Sequence, residues 1–121
     1  MKRSLVSRDS IRIANGAQLS PAIPFDKAGA MGLTLPAAFT GTHLGIFGSN
    51  EKDGTFNLLH DVDNTPIGVV DARASRTYVI FLAYPYPYIK LGFYTGTVSA
   101  TVDATLSTQL AERIFTDLVF A

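Results

Sequence analysis

Residues 44–60 read LGIFGSNEKDGTFNLLH, and this stretch decides the fold class. Leu44 to Ser49 reads as a strand, with Leu44 and Ile46 on one side of an extended chain and Phe47 on the other. Asn50-Glu51-Lys52-Asp53-Gly54 follows as a hairpin loop, and its Asp53-Gly54 pair supplies the turn chemistry. Phe56 to His60 returns as the next strand.

The same alternation of strand and turn extends in both directions. Upstream, Gly29 to Leu35 reads as a strand with Met31, Leu33 and Leu35 inward, and Pro36 to Gly41 as a corner. Leu19 to Phe25 alternates, placing Leu19, Ile23 and Phe25 on one face, while Pro21 and Pro24 confine it to a sheet edge. Asn15-Gly16 is a turn, because both residues tolerate positive φ, and Ile11 and Ile13 begin the first short strand.

Downstream, Asp61 to Pro66 is another turn and Ile67 to Val70 a short strand. Residues 72–76 form a polar connection with room for one helical turn. Tyr78 to Leu82 reads as a buried strand without alternation. Tyr84-Pro85-Tyr86-Pro87 is extended, since each proline fixes its own φ and biases the residue before it. Tyr88 to Thr95 is a long strand and residues 96–109 a loop. Arg113 to Phe120 alternates with Ile114, Thr116, Leu118 and Phe120 on one face. Eight or nine strands with turn signals about every 8–12 residues predict an all-β domain. Its expected form is a two-sheet antiparallel β-sandwich, jelly-roll-like.

A chain of 121 residues is the size of one domain. Residues 1–9 are expected to form an N-terminal arm, and residues 10–121 the sandwich. Hydrophobic residues make up 47% and charged residues only 17%, which argues against disorder. The formal net charge is zero, so no basic face for nucleic acid is expected. A mean hydropathy of +0.22 suggests a surface that is partly covered by partners. Cysteine is absent, which removes disulfides, thiolate metal sites and thiol nucleophiles. The start of the chain lacks the apolar run of a signal peptide. The longest apolar run, Tyr78 to Ile89, holds two prolines and is too short to span a bilayer, so no membrane partner is expected.

Few residues carry the patterns of chemistry. The two histidines, His43 and His60, sit at strand margins and lack the companions a metal site recruits. Asp61-Val62-Asp63-Asn64-Thr65 begins like a calcium loop, but Pro66 stands where that loop needs glycine and Ala72 where it needs glutamate. A looser calcium site from Asp61, Asp63 and Asp53 is the alternative to a solvated turn. Neither metal nor cofactor is expected. Glu51 and Asp53 lie in an exposed hairpin, unsuited to the raised pKa of a general acid. Gly45 to Ser49 has no serine between its glycines, and no Gly-rich run ends in Gly-Lys-Ser/Thr. No catalytic residue is assigned, and the protein is expected not to be an enzyme.

Partner contacts are the better prospect. Tyr84, Tyr86 and Tyr88 alternate, so an extended chain points all three to one side, against the core, a partner protein or sugar rings. Charge is uneven: residues 1–12 carry Lys2, Arg3, Arg8 and Arg12 against Asp9, whereas residues 50–71 carry five carboxylates against Lys52. Arg3 and Arg8 suit carboxylates on a neighbouring subunit, and Leu5-Val6 suits strand addition to a neighbour's edge. The candidate interface residues are therefore Arg3, Leu5, Val6, Arg8, Tyr84, Tyr86 and Tyr88.

Several segments also form an ordered set: ANGAQLS at 14–20, GLTLPAAFT at 32–40, Phe47-Gly48-Ser49 with DGTF at 53–56, ASRTY at 74–78, and YIKL at 88–91 followed by Gly96-Thr97. This order is similar to that of a group of small structural proteins of tailed bacteriophages, over roughly residues 13–120. The chain departs from the group in the aromatic run Tyr84 to Tyr88 and in lacking a serine before Gly96. The resemblance implies a virion component assembled in the host cytoplasm: a capsid cement or decoration protein, or a neck or tail subunit. It implies binding to the major capsid protein or other virion subunits, and a homo-oligomer with the trimer favoured. A carbohydrate-binding module on the particle is the alternative.

Overall fold

The computed structural model describes residues 6–25, 29–81, 86–96 and 104–120. Among the described residues ten strands follow in chain order: β1 (Val6–Ile13), β2 (Ile23–Pro24), β3 (Ala30–Thr34), β4 (His43–Ser49), β5 (Asn57–Leu58), β6 (Gly68–Val69), β7 (Thr77–Phe81), β8 (Tyr88–Thr95), β9 (Thr105–Leu106) and β10 (Arg113–Phe120). They form two antiparallel sheets, a β-sandwich, with no helix among the described residues. One sheet has the order β1-β10-β3-β7. The other has β2-β8-β4-β5, with β6 also on β4 and β9 also on β8.

The core is the space between the sheets. Ile13, Met31, Leu33, Phe115 and Leu118 enter from the first sheet, and Leu44, Ile46, Leu91 and Phe93 from the second; all are fully buried. Each such side chain contributes roughly 1.5–3 kcal/mol by leaving water. Phe93 stacks on Phe115 across the gap, with centroids 5.5 Å apart. Phe39, from the corner after β3, also stacks on Phe93, with centroids 4.3 Å apart. The aromatic stack thus joins both sheets to the corner that connects them.

The long central strands follow the sequence pattern. β4 and β8 pair over seven residues, from His43↔Tyr94 to Ser49↔Tyr88. Leu44 and Ile46 face the core and Phe47 the outer side, as their alternation predicts. Phe47 is nevertheless buried, because the outer side of this sheet is dressed by other segments. Gly45 and Gly92 are register partners there. A Cβ on Gly92 would stand 2.6 Å from Leu19 Cδ2, 3.0 Å from the Gln18 carbonyl oxygen and 3.1 Å from Phe47 Cε1. The missing side chains make a trough that Phe47 and Leu19 fill.

Several expectations change. β1 begins at Val6, pairing Val6↔Phe120 and Arg8↔Leu118, so residues 6–9 run in the sheet where an arm was expected. Leu19 covers Gly92 on the outer side of its sheet, opposite to Ile23 and Phe25, because the chain between them is not a continuous strand. Residues 72–76 make a turn with Ser75 at φ 59°. β7 alternates at its centre: Ile80 is buried and Val79 is 66% exposed. In β10 the expected single face breaks. Phe115, Leu118 and Phe120 point inward while Ile114 and Thr116 are exposed. The register with β3 slips between Thr116 and Val119, where Asp117 has φ 53°. This bulge inserts one residue and switches the inward parity.

Gln109 closes one end of the sandwich. It is 0% exposed, yet every polar atom of its amide is engaged. Its Oε1 accepts from the Thr40 N–H (2.9 Å) and from Arg113 Nε (3.3 Å), and its Nε2 donates to the carbonyls of Thr40 (2.8 Å) and Ser107 (3.3 Å). Its main chain donates to the Ala17 carbonyl and accepts from the Gly16 N–H.

Three measurements test this packing. Gln109→Leu keeps the volume but strands the Thr40 groups, and is expected to cost about 2–4 kcal/mol in chemical denaturation. Gly92→Ala is expected to cost about 1–3 kcal/mol through overpacking against Leu19, Gln18 and Phe47. Burial raises the Tyr94 phenol above its ordinary 10.0. The unfolded chain therefore releases this proton first, so stability is complete below pH 10 and falls as pH rises through the folded-state value. Tyr94→Phe is expected to remove that part of the alkaline loss in pH-dependent melting.

Candidate binding surfaces

Two surfaces stand out once the strands are placed. The first is the β7 flank. Among the described residues β7 pairs with β3 alone, so its other edge offers open backbone groups. Thr77 to Phe81 contains no charged residue. Beside it runs a groove of about 430 Å³ lined by Pro66, Ile67, Val69, Val70, Tyr78 and Val79, among others. Val70 is 58% exposed. Across the outer face of the same sheet, Val79 is level with Gly32, and Gly32 with Val119. The neighbouring row is held by hydroxyls: Thr34 and Thr77 Oγ1 lie 2.7 Å apart, and Thr34 donates to Asp117 Oδ2 at 2.9 Å. The result is a smooth face with little charge.

The second is a groove of about 350 Å³ at the β4–β5 hairpin, lined by Gly48, Ser49, Asn50, Glu51, Gly54, Thr55, Asn57, Leu59 and Tyr86. The hairpin turn closes with the Gly54 N–H on the Glu51 carbonyl (3.1 Å). The Ser49 hydroxyl oxygen accepts the Glu51 N–H (3.2 Å) and anchors the loop to the end of β4. Tyr86 lies over Gly48, its Cγ 3.1 Å from where a Cβ would stand, and packs on the core beside Leu59.

The sequence-derived interface residues are scattered between these places. Arg3, Leu5 and Tyr84 lie outside the described residues. Val6 and Arg8 are strand residues of β1, paired with β10. Tyr86 and Tyr88 do not form one row. Tyr86 sits on the core side of Gly48, whereas Tyr88 occupies the parity opposite to the inward Ile89, Leu91 and Phe93. The chain turns at Pro87, whose carbonyl accepts the Phe25 N–H (2.7 Å), and this breaks the alternation.

The other candidates have local structural work. His43 Nδ1 accepts the Asp71 N–H at 2.9 Å, and its ring leans on Tyr94 with centroids 5.0 Å apart. His60 is exposed and its Nδ1 contacts the Leu58 carbonyl at 3.0 Å. Asp61 Oδ1 accepts from the Asp63 and Thr65 N–H groups at 2.8 and 2.9 Å, which uses that carboxylate to build its own turn. Among the described residues no three His, Asp or Glu side chains converge as metal ligands. The polar groove and the hydrogen-bonding of Gln109 escape strand-pattern reading altogether, since both depend on residues brought together from distant segments. No protein-family model, curated protein or solved structure matches the chain.

Proposed function

We propose that this protein is a non-enzymatic structural subunit of a virion, of the cement or decoration type, that binds neighbouring coat subunits and copies of itself. The observation that carries the reading is the β7 flank. An uncharged edge strand beside a groove lined by uncharged side chains is the feature that free-standing sandwiches blunt with charge or proline. Here Val70 and Val79 are left open instead, which suits an interface whose centre is depleted of charge. Zero formal net charge adds no self-repulsion between copies.

The strand order supports the finer fold reading. With β6 and β9 set aside, β1-β10-β3-β7 facing β2-β8-β4-β5 is the pairing that two wound Greek keys produce in a jelly roll. That architecture serves viral capsid and lectin domains alike, so it narrows the class by analogy only. The placement on a phage head rests on the sequence resemblance, which also makes the trimer the favoured assembly and the major capsid protein the favoured partner.

Sedimentation of the purified protein, with and without empty heads of the source particle, tests this. Self-association or head binding is expected for the native chain. Val79→Lys is expected to weaken both while changing folding stability by no more than about 0.5 kcal/mol, as befits an exposed position. A native chain that stays monomeric and ignores empty heads overturns the reading.

A further inference from the structure

We infer that the groove between Tyr86 and the β4–β5 hairpin is a binding site for a neutral oligosaccharide. Its lining combines one held aromatic ring with side chains that both donate and accept. Tyr86 is half-buried and braced by Gly48 and Leu59, so little rotamer freedom remains to be lost on binding. An aromatic face carries partial negative charge, which attracts the polarised C–H groups of a sugar ring. Asn50 and Asn57 each offer an amide, Glu51 a carboxylate, and Ser49 and Thr55 hydroxyls. The Ser49 oxygen already accepts the Glu51 N–H, which leaves its O–H to donate. Among the described residues no side-chain hydrogen bond occupies Asn50, Glu51, Thr55 or Asn57. A ligand dense in hydroxyl groups is what such a lining matches.

Charge and shape narrow the class. Among the described residues the lining holds one carboxylate and no cation, which disfavours phosphates, sulfated glycans and acidic sugars. A volume of about 350 Å³ is at the small end of the ligand-site range, room for one or two rings. Asn50, Glu51, Thr55 and Asn57 are all exposed, so the groove is open at the side and accommodates a unit within a longer chain. The position follows from the fold. Gly48 leaves space for the tyrosine ring, and the tight Glu51–Gly54 turn brings the loop back beside Ser49 at the end of β4. The inference does not depend on attachment to a virion.

The test is a titration of the ¹⁵N-labelled full chain, followed by amide shifts, with maltotriose, cellotriose, chitotriose and mannotriose, and with a sulfated heparin disaccharide as the anionic control. At least one neutral trisaccharide is expected to give saturable shifts at Asn50, Glu51, Thr55 and Asn57. Asn57→Ala, on the exposed hairpin, is expected to weaken binding at least about 10-fold, or roughly 1.4 kcal/mol, with the fold intact. Tyr86→Ala is expected to abolish the shifts, and Tyr86→Phe, which keeps the packing ring, to retain most of the affinity. The inference is overturned if no neutral sugar shifts these amides at roughly 10 mM. It is also overturned if only the heparin disaccharide does, or if binding survives Asn57→Ala and Tyr86→Ala unchanged. Binding to empty heads is a separate readout, so failure here leaves the structural-subunit reading to its own experiment.

Discussion

The amide of Gln109 is the tie on which one end of the sandwich depends. Loops cross the ends of any sandwich, and their backbone groups must find partners or water. Gln109 meets the N–H and the carbonyl of Thr40 with its own Oε1 and Nε2, as a strand residue would with its peptide groups. Its main chain meanwhile bonds Gly16 and Ala17. One residue thereby fixes the turn after β1, the corner before β4 and the segment entering β10. From that segment β10 runs between β1 and β3 in the first sheet. The first and last strands of the domain are neighbours, so much of the core forms through contacts distant in sequence. Such topologies fold slowly, and a satisfied buried network helps select one closure among several.

Much of the architecture is legible in the residue pattern because it is local. Asn15-Gly16 turns as its chemistry requires, with Gly16 at φ 82°. β3, β4 and β8 fall where alternation and glycine punctuation place them, and Met31, Leu33 and Leu35 are buried together. What escapes the pattern is non-local. The bulge at Asp117 depends on how β10 meets β3, and nothing in the alternation of Arg113 to Phe120 announces it. β7 reads as a fully buried strand because Tyr, Val, Ile and Phe are contiguous, yet among the described residues Val79 on its outer side is left largely exposed. The tyrosine row fails for a different reason. Strand parity holds only while the chain stays extended, and the bend at Pro87 interrupts it.

The two sheets differ in how their outer sides are treated, and the difference bears on function. The sheet containing β4 and β8 is covered. Leu19 lies in the Gly45–Gly92 trough, and the Ser20 hydroxyl oxygen accepts the Leu91 N–H at 2.9 Å, so this segment satisfies the strand it covers. Lys90 extends over the Phe56 ring, 4.4 Å from its centroid. Among the described residues, the sheet containing β3 and β7 has no such dressing over Val79. Cover on one side and bareness on the other within a single small domain cannot be put down to a general shortage of polar residues. On the proposed reading, a partner docks on this less covered side.

The β7 flank and the Tyr86 groove share no lining residue. One is lined by uncharged side chains and bounded by an open strand edge; the other is polar and built on a hairpin. On the two proposed readings, the first takes a protein surface and the second a hydroxyl-rich ligand. Because the sets are disjoint, occupation of either leaves the residues of the other free. On the proposed reading, a subunit docked through β7 keeps the Asn50–Asn57 hairpin available for a second contact. The physical basis is the sandwich itself: its rigid sheets hold an edge and a hairpin at separate places, so one short chain presents two unlike surfaces without needing a second domain.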